Sequence, residues 1–260
     1  MKWILQEFED ATKLAAALDR LGLEYSWHKV VPFVGDLVPE PVVTNKDRIV
    51  LFGSYSLWKF ASACGYKPGV CKLRPFVYEK VWHPHLLNGA DARFVTLKDV
   101  PTVLEDNETE WFLRPVDDSK EEPGNVKTER EIRSLAEKIL GLHETEIPVG
   151  SLRHDTLLML TQPVRILKEW RLWVVGGEVV TYSLYKEGGR VVYRHEIDDD
   201  ALAFAQHMAE LNPDYSPAYV IDVCRTAEGL KLLETNCINA AGFYEADLVR
   251  LAAAIDALGC

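Results

Sequence analysis

No apolar run in these 260 residues approaches the ~18 needed to cross a bilayer, so no membrane-spanning helix is expected. The opening stretch, MKWILQEFEDATK, has neither an apolar h-region nor a cleavage site, and no secretory leader is expected either. Cysteine is scarce. Cys64, Cys71, Cys224, Cys237 and Cys260 make an odd count without a CxxC pair, which argues against a disulfide framework and a structural zinc site. A reducing, cytoplasmic setting is the expectation. Internal repeats are absent too, and no low-complexity segment is long enough to serve as a linker.

What is present is an ordinary ordered composition, 48% hydrophobic and 27% charged. The length allows one large domain or two to three small lobes. The net charge of −11 is unevenly spread. Residues 46–90 hold seven Lys or Arg against two acids, whereas everything after residue 90 holds 18 basic and 31 acidic side chains. Such a basic segment is either a solvated face, the commoner case, or a surface that receives an anionic substrate.

The chain opens strand, helix, strand: WILQ, then EDATKLAAALDRLG with apolar residues at helical spacing and Gly22 as a stop, then EYSWHKVV. DRIVLFGS and YSLWKFASACG repeat the strand-helix order, so residues 1–87 read as a small α/β domain. The Gly53-Ser54 turn between them does not by itself distinguish a phosphate cradle from an ordinary turn. NGADARFVTLKDVPTVLEDNETE reads as a connection with one short helix, EWFLRPV as a strand, DDSKEEPGN as a polar loop and VKTEREIRSLAEKILGL as a helix. TLLMLTQPV is a strand, and EWRLWVVGGEVVTYSLYK is a hairpin turning at Gly176-Gly177. Asp198 to Asp200 suit the cap of the helix DDDALAFAQHMAEL. A hairpin over Tyr219–Leu233 and a closing helix, EADLVRLAAAIDALG, complete the chain.

That last hairpin is where folding alone does not explain the residues. Glu234 and Asn236 share a strand face, and a turn near Glu228-Gly229 brings Asp222 back beside Glu234. Two carboxylates and an amide oxygen repel one another without a cation and suit a hard one such as Mg²⁺. Magnesium fills its remaining positions with water and phosphate oxygens, which implies a nucleotide. The competing reading is ion pairing of Asp222 and Glu234 with Arg225 or Lys231. Strands this apolar favour the metal.

Asp222 and, twelve positions on, Glu234-Thr235-Asn236, followed by Gly242-Phe243, resemble the metal-binding segment of the ATP-grasp superfamily. Other segments agree in order: TQPV at the end of a strand, EWR, and an Arg114-Pro115 pair where the family commonly has Lys-Pro. Together with ETNCINAAGFY they resemble the R2K clade of that superfamily. The resemblance implies an α+β ATP-grasp fold, with lobes at residues 88–160 and 161–260 clasping ATP, preceded by a small α/β pre-ATP-grasp-like domain at 1–87. It implies a pair of Mg²⁺ ions on Asp222, Glu234 and Asn236. It implies adenine reading by Gln162 and Val164, ribose binding by Glu169, and phosphate or substrate contacts by Arg114, Arg171 and Lys186. The family's Gly-rich phosphate loop is replaced by DDSKEEPGN, so Lys120 is expected to face the phosphates and the four acids to face away.

The activity so implied is ligation of a small-molecule or peptide carboxylate to an amine or thiol through an acylphosphate. Two alternatives remain open: a phosphotransferase on the same fold, with the basic segment holding an anionic or nucleic-acid-derived substrate, and a nucleotide-binding module without turnover. Asp222→Asn and Glu234→Gln are expected to abolish metal-dependent turnover with the fold intact, since each removes charge without removing volume.

Overall fold

A computed structural model describes residues 1–31, 36–87, 89, 91–116, 124–148 and 151–258, with the backbone alone at 55, 56 and 59. The chain divides into two compact units, one of residues Met1–Leu73 with Ile166–Cys260 and one of residues Arg74–Arg165. No helix among the described residues is long and apolar enough to cross a membrane.

The first unit begins β1 (Lys2–Gln6), α1 (Glu9–Leu21), β2 (Glu24–Val30), β3 (Leu37–Val38), β4 (Ile49–Phe52), α2 (Tyr55–Cys64) and β5 (Pro68–Gly69). These strands form a sheet in the order β3-β2-β1-β4-β5, parallel except for the edge strand β3. Trp3, Ile4 and Leu5 of β1 and all four residues of β4 are buried, as strands covered on both faces require. Helix α1 buries Ala11, Leu14, Ala15 and Leu18 along one stripe and ends at Gly22, whose φ of 65° is the left-handed stop that glycine accepts without strain.

The second unit runs β6 (Arg93–Thr96), α3 (Val100–Val103), β7 (Glu110–Pro115), β8 (Asn125–Thr128), α4 (Glu129–Leu140) and β9 (Leu157–Thr161). Its antiparallel sheet has the order β6-β9-β7-β8, and Ile132 and Ala136 of α4 pack on Trp111, Leu113, Leu158 and Leu160. A capping box of Thr128 and Glu131 starts α4. Neither β6 nor β8 is expected from the sequence: the first lies in the presumed connection and the second opens the presumed helix. Both are four-residue strands fixed by pairing with β9 and β7, a tertiary cause that local pattern does not carry.

The first unit resumes with β10 (Lys168–Val175), β11 (Glu178–Glu187), β12 (Arg190–Arg194), α5 (Asp199–Leu211), β13 (Ala218–Thr226), β14 (Gly229–Asn236) and α6 (Leu248–Ala257). The strands form an antiparallel sheet, β12-β11-β10-β13-β14. Gly176 and Gly177, with φ of 61° and 84°, make the two-residue turn between β10 and β11, as expected. Edge strand β12 is an addition to the expected elements. One end of one sheet face, Trp173, Val175, Ala218 and Val220, joins the core with Trp3, Leu14, Phe52 and Ile255. Helix α5 packs against β11, β13 and β14.

Asn239 ties this sheet's exit loop to the parallel sheet. Its amide donates to the carbonyls of Leu51 (2.6 Å) and Gly69 (3.1 Å) and accepts from the Cys71 N–H (2.8 Å). The side chain is buried, so truncation strands three backbone groups. Asn239→Ala is expected to lower the unfolding free energy by about 3 kcal/mol, measured by urea denaturation.

Candidate functional site

The pairing register sets Arg171 on β10 opposite Asp222 on β13, and Asp222 opposite Glu234 on β14. One cation and two carboxylates therefore form a row across three adjacent strands. Alternation adds Glu169 to the same face of β10 and Asn236 to that of β14. This polar half of the face continues from the apolar half that feeds the core.

Within the row the contacts to Asp222 are buried and those to Glu234 partly so. Arg171 donates to Asp222 twice, Nε to Oδ1 at 2.9 Å and Nη2 to Oδ2 at 2.7 Å, the fork geometry of a strong pair. Asn236 Nδ2 donates to Glu234 Oε1 (2.9 Å) and to Asp222 Oδ2 (3.3 Å), and Arg171 Nη2 lies 4.0 Å from Glu234 Oε1. Burial pushes the Asp222 carboxyl up to about 6; Arg171 opposes that rise and Glu234 adds to it. Burial alone would lower the Arg171 guanidinium, but the Asp222 carboxylate more than reverses this and holds it charged.

The ion pair differs from either partner considered in the sequence. Arg225 leaves the opposite face of β13 and binds Asp198 (3.0 Å) and Asp200 (2.6 Å), with its guanidinium 5.6 Å from the Trp170 ring centre. Lys168 joins Asp198 at 2.9 Å. As expected, Asp198 stands at the N-cap of α5 with Asp199 and Asp200 in its first turn, but the Asp198 carboxylate makes no capping hydrogen bond, because two cations claim it.

Glu169 is also engaged. Lys186 Nζ lies 2.8 Å from its Oε1, and the Tyr185 hydroxyl donates to its Oε2 at 2.7 Å. Glu169 pairs with Lys186 and Trp170 with Leu184, which leaves Tyr185 as the extra residue of a β-bulge. A bulge of this kind re-aims a side chain, and here it lets consecutive residues reach one carboxylate. Burial, reinforced by the nearby carboxylates, raises the Tyr185 hydroxyl well above its ordinary range.

Sequence reasoning passed over Tyr185 and Tyr244. Tyr244 stacks with Tyr185 (ring centres 5.3 Å) and with Tyr193 (4.9 Å), and the Arg171 guanidinium lies 5.0 Å from its centre. Among the described residues it is the only non-glycine with a positive φ, 52°. A left-handed aromatic residue costs about 1–3 kcal/mol and persists only where its surroundings impose it. No local pattern signals either tyrosine; the bulge and the left-handed turn arise from tertiary pairing.

The second unit holds the other expected residues. Arg114 sits on β7 with its guanidinium 5.2 Å from the Phe76 ring centre. Gln162 and Val164 follow β9 and are exposed. Thr161, just before them, buries a hydroxyl without a hydrogen-bond partner among the described residues. Lys120, with the acidic residues around it, lies outside the described residues.

As a cation site the row has a definite donor set. Among the described residues no group of three or more His, Cys, Asp or Glu could hold a metal ion. Asp222 and Glu234 instead supply two carboxylates, oxygen donors of the kind Mg²⁺ prefers, and Asn236 would add its amide oxygen once the amide turns from the orientation in which Nδ2 donates to both. A carboxylate has about four lone-pair sites, so two taken by Arg171 and one by Asn236 leave Asp222 with one to offer. The set fits.

No curated protein matches the chain in sequence. Similar solved structures are D-cycloserine synthetase DcsG (TM-score 0.62, 14% identity, 98% of this chain and 99% of that one) and D-alanine–D-alanine ligase from Bacillus anthracis complexed with ATP (0.60, 10%, 99% and 95%). The ATP-grasp ligase PsnB, complexed with a precursor variant, Mg and ADP, is also similar (0.52, 12%, 100% and 98%). These likenesses establish the fold. A family model described as ATP-grasp domain, R2K clade family 3, matches residues 79–258, a span that includes Arg171, Asp222, Glu234 and Asn236, and the chain belongs to this ATP-grasp family.

Proposed function

We propose that this ATP-grasp protein is an ATP- and Mg²⁺-dependent ligase. It would transfer the γ-phosphoryl group of ATP to a small-molecule or peptide carboxylate. An amine or thiol would then attack the acyl carbon, form the new amide or thioester bond and expel phosphate. The products are the ligated compound, ADP and phosphate. The observation that carries the reading is the row Arg171–Asp222–Glu234 with Asn236 beside it, two carboxylates to one cation, in which a buried, Arg171-paired Asp222 stands next to a partly exposed Glu234.

On this reading Asp222, Glu234 and Asn236 hold the magnesium pair, which would neutralise charge developing on the phosphates. Arg171 and Arg114 present fixed positive charge to phosphate or acyl oxygens, Arg114 as a planar fork where a lysine would be a point charge. Lys186 and Glu169 belong to the nucleotide site, with Glu169 binding ribose hydroxyls once Lys186 and Tyr185 release an oxygen. Gln162 and Val164 read adenine. Lys120 is assigned to the phosphates from sequence alone. Residues 88–160 and 161–260 would be the ATP-grasp lobes and 1–87 the preceding domain; a cytoplasmic setting is part of the same proposal. The neighbours bound to ATP, or to Mg and ADP, support the nucleotide assignment.

The test is calorimetric titration of ATP and ADP with and without Mg²⁺, followed by assay of ADP release with paired acids and amines or thiols. Metal-dependent binding and acceptor-dependent ADP release are expected; a stable phosphorylated product formed without an acceptor would overturn ligation in favour of phosphotransfer. A pH dependence follows as well. With the Asp222 carboxyl held up to about 6, protons compete with the cation below that value. Mg²⁺-dependent ATP affinity is expected to fall as pH drops through 6 and to level off above it, measured by repeating the titration across that range.

A further inference from the structure

We infer that Tyr244 is a positioning residue that holds the Arg171 guanidinium in a single orientation at the carboxylate row. The two hydrogen bonds to Asp222 fix one edge of the guanidinium but leave its plane free to rock about that edge. The Tyr244 ring, 5.0 Å from the guanidinium carbon, and the Tyr185 ring, 5.7 Å from it, oppose that motion. Arg171 Nη1 also approaches the carbonyl of Gly242, two residues before Tyr244, at 3.5 Å.

The backbone around Tyr244 is tied down on both sides. Phe243 is buried and stacks on Phe52 with ring centres 4.5 Å apart. The Glu245 N–H donates to Ser183 Oγ (3.3 Å), its carbonyl accepts from His195 Nδ1 (3.1 Å), and the Asp247 N–H donates to Thr181 Oγ1 (2.8 Å). Between these ties the chain takes the left-handed conformation that most aromatic residues avoid, and the ring stacks with Tyr185 and Tyr193. Glycine would satisfy that backbone with less strain. A tyrosine there is explained by its ring, and the charged group against that ring is Arg171.

The holding of Arg171 does not depend on the ligase reading; its consequence for turnover rests on that reading. In the full-length ¹⁵N-labelled protein, the Arg171 Nε–H signal is assigned by its loss in Arg171→Lys. Its solvent exchange and the global unfolding temperature are then compared in wild type, Tyr244→Phe and Tyr244→Gly. Tyr244→Phe keeps the ring and is expected to leave exchange unchanged. Tyr244→Gly is expected to accelerate it roughly tenfold or more with far less effect on core amides. Unchanged exchange in the glycine variant, or equal acceleration by phenylalanine, would overturn the inference. Should glycine fail to fold, Tyr244→Asn, which also tolerates the left-handed conformation, gives the same readout. Absence of Mg·ATP binding to wild type would remove the ligase reading and leave the exchange result to decide the role of Tyr244. Where wild type binds, Tyr244→Gly is expected to lower ADP release about tenfold while changing nucleotide affinity less, the pattern of a misaimed group.

Discussion

Asp222→Ala is expected to lower the free energy of unfolding by about 3–5 kcal/mol, the usual cost of removing one partner from a buried ion pair. The reason lies in what remains. Arg171 is buried, effectively never deprotonated, and makes both of its shortest hydrogen bonds to Asp222. Alanine leaves that cation uncompensated in a medium that solvates it poorly. Asparagine, although isosteric, also removes the counter-charge, so the expectation that Asp222→Asn spares the fold is revised by the Arg171 pair. Urea curves give the change directly. Replacing both partners with apolar residues, Arg171→Met with Asp222→Leu, is expected to recover most of the loss, since a buried pair contributes little beyond its isosteric apolar substitute. A single substitution costing under about 1 kcal/mol, or a double variant as damaged as the single, would contradict the buried pair.

Glu234→Gln separates function from folding. The Glu234 side chain retains 23% of its exposure, has Arg171 only at 4.0 Å, and is not the counter-ion that Arg171 depends on. Glutamine preserves its volume and an acceptor oxygen, so the unfolding midpoint is expected to move by less than about 1 kcal/mol equivalent. The charge, however, is one of the row's two carboxylate charges, and the other, on Asp222, is already paired with Arg171. Magnesium-dependent ATP affinity is expected to fall on the order of 100-fold, at or beyond the upper end of what loss of an outer-shell partner does to a metal site. Calorimetry with and without Mg²⁺ measures it. Equal affinity in variant and wild type would remove Glu234 from the cation site.

Strand parity and one hairpin turn made the carboxylate cluster legible. Asp222, Glu234 and Asn236 had to share a face once β13 and β14 paired near Glu228-Gly229, and their separations are short-range facts. The adjacency of Arg171 to Asp222 depends instead on β10 pairing with β13, fifty residues away in sequence, and no local signal encodes that register. For the same reason Arg225 was a plausible partner on paper: it is close in sequence but projects from the other face. Strands β6, β8 and β12 escaped because four- or five-residue strands owe their existence to neighbours rather than to propensity. The helices were clear because their buried stripes and stop residues are local.

The first unit is assembled from the two ends of the chain, and this has a consequence for biosynthesis. Leu14 and Leu18 of α1 and Trp3 and Phe52 of the parallel sheet share one core with Leu251 and Ile255 of α6. Asn239 receives its partners from residues 51, 69 and 71. The opening sheet, with α1 already on it, therefore emerges from the ribosome with part of its apolar face uncovered until later segments are made. At ~5–20 residues per second, it waits roughly 10–40 s for the closing helix. During that interval the nascent chain is a natural client for chaperones, and loss of the last dozen residues would leave part of that face bare for the life of the protein.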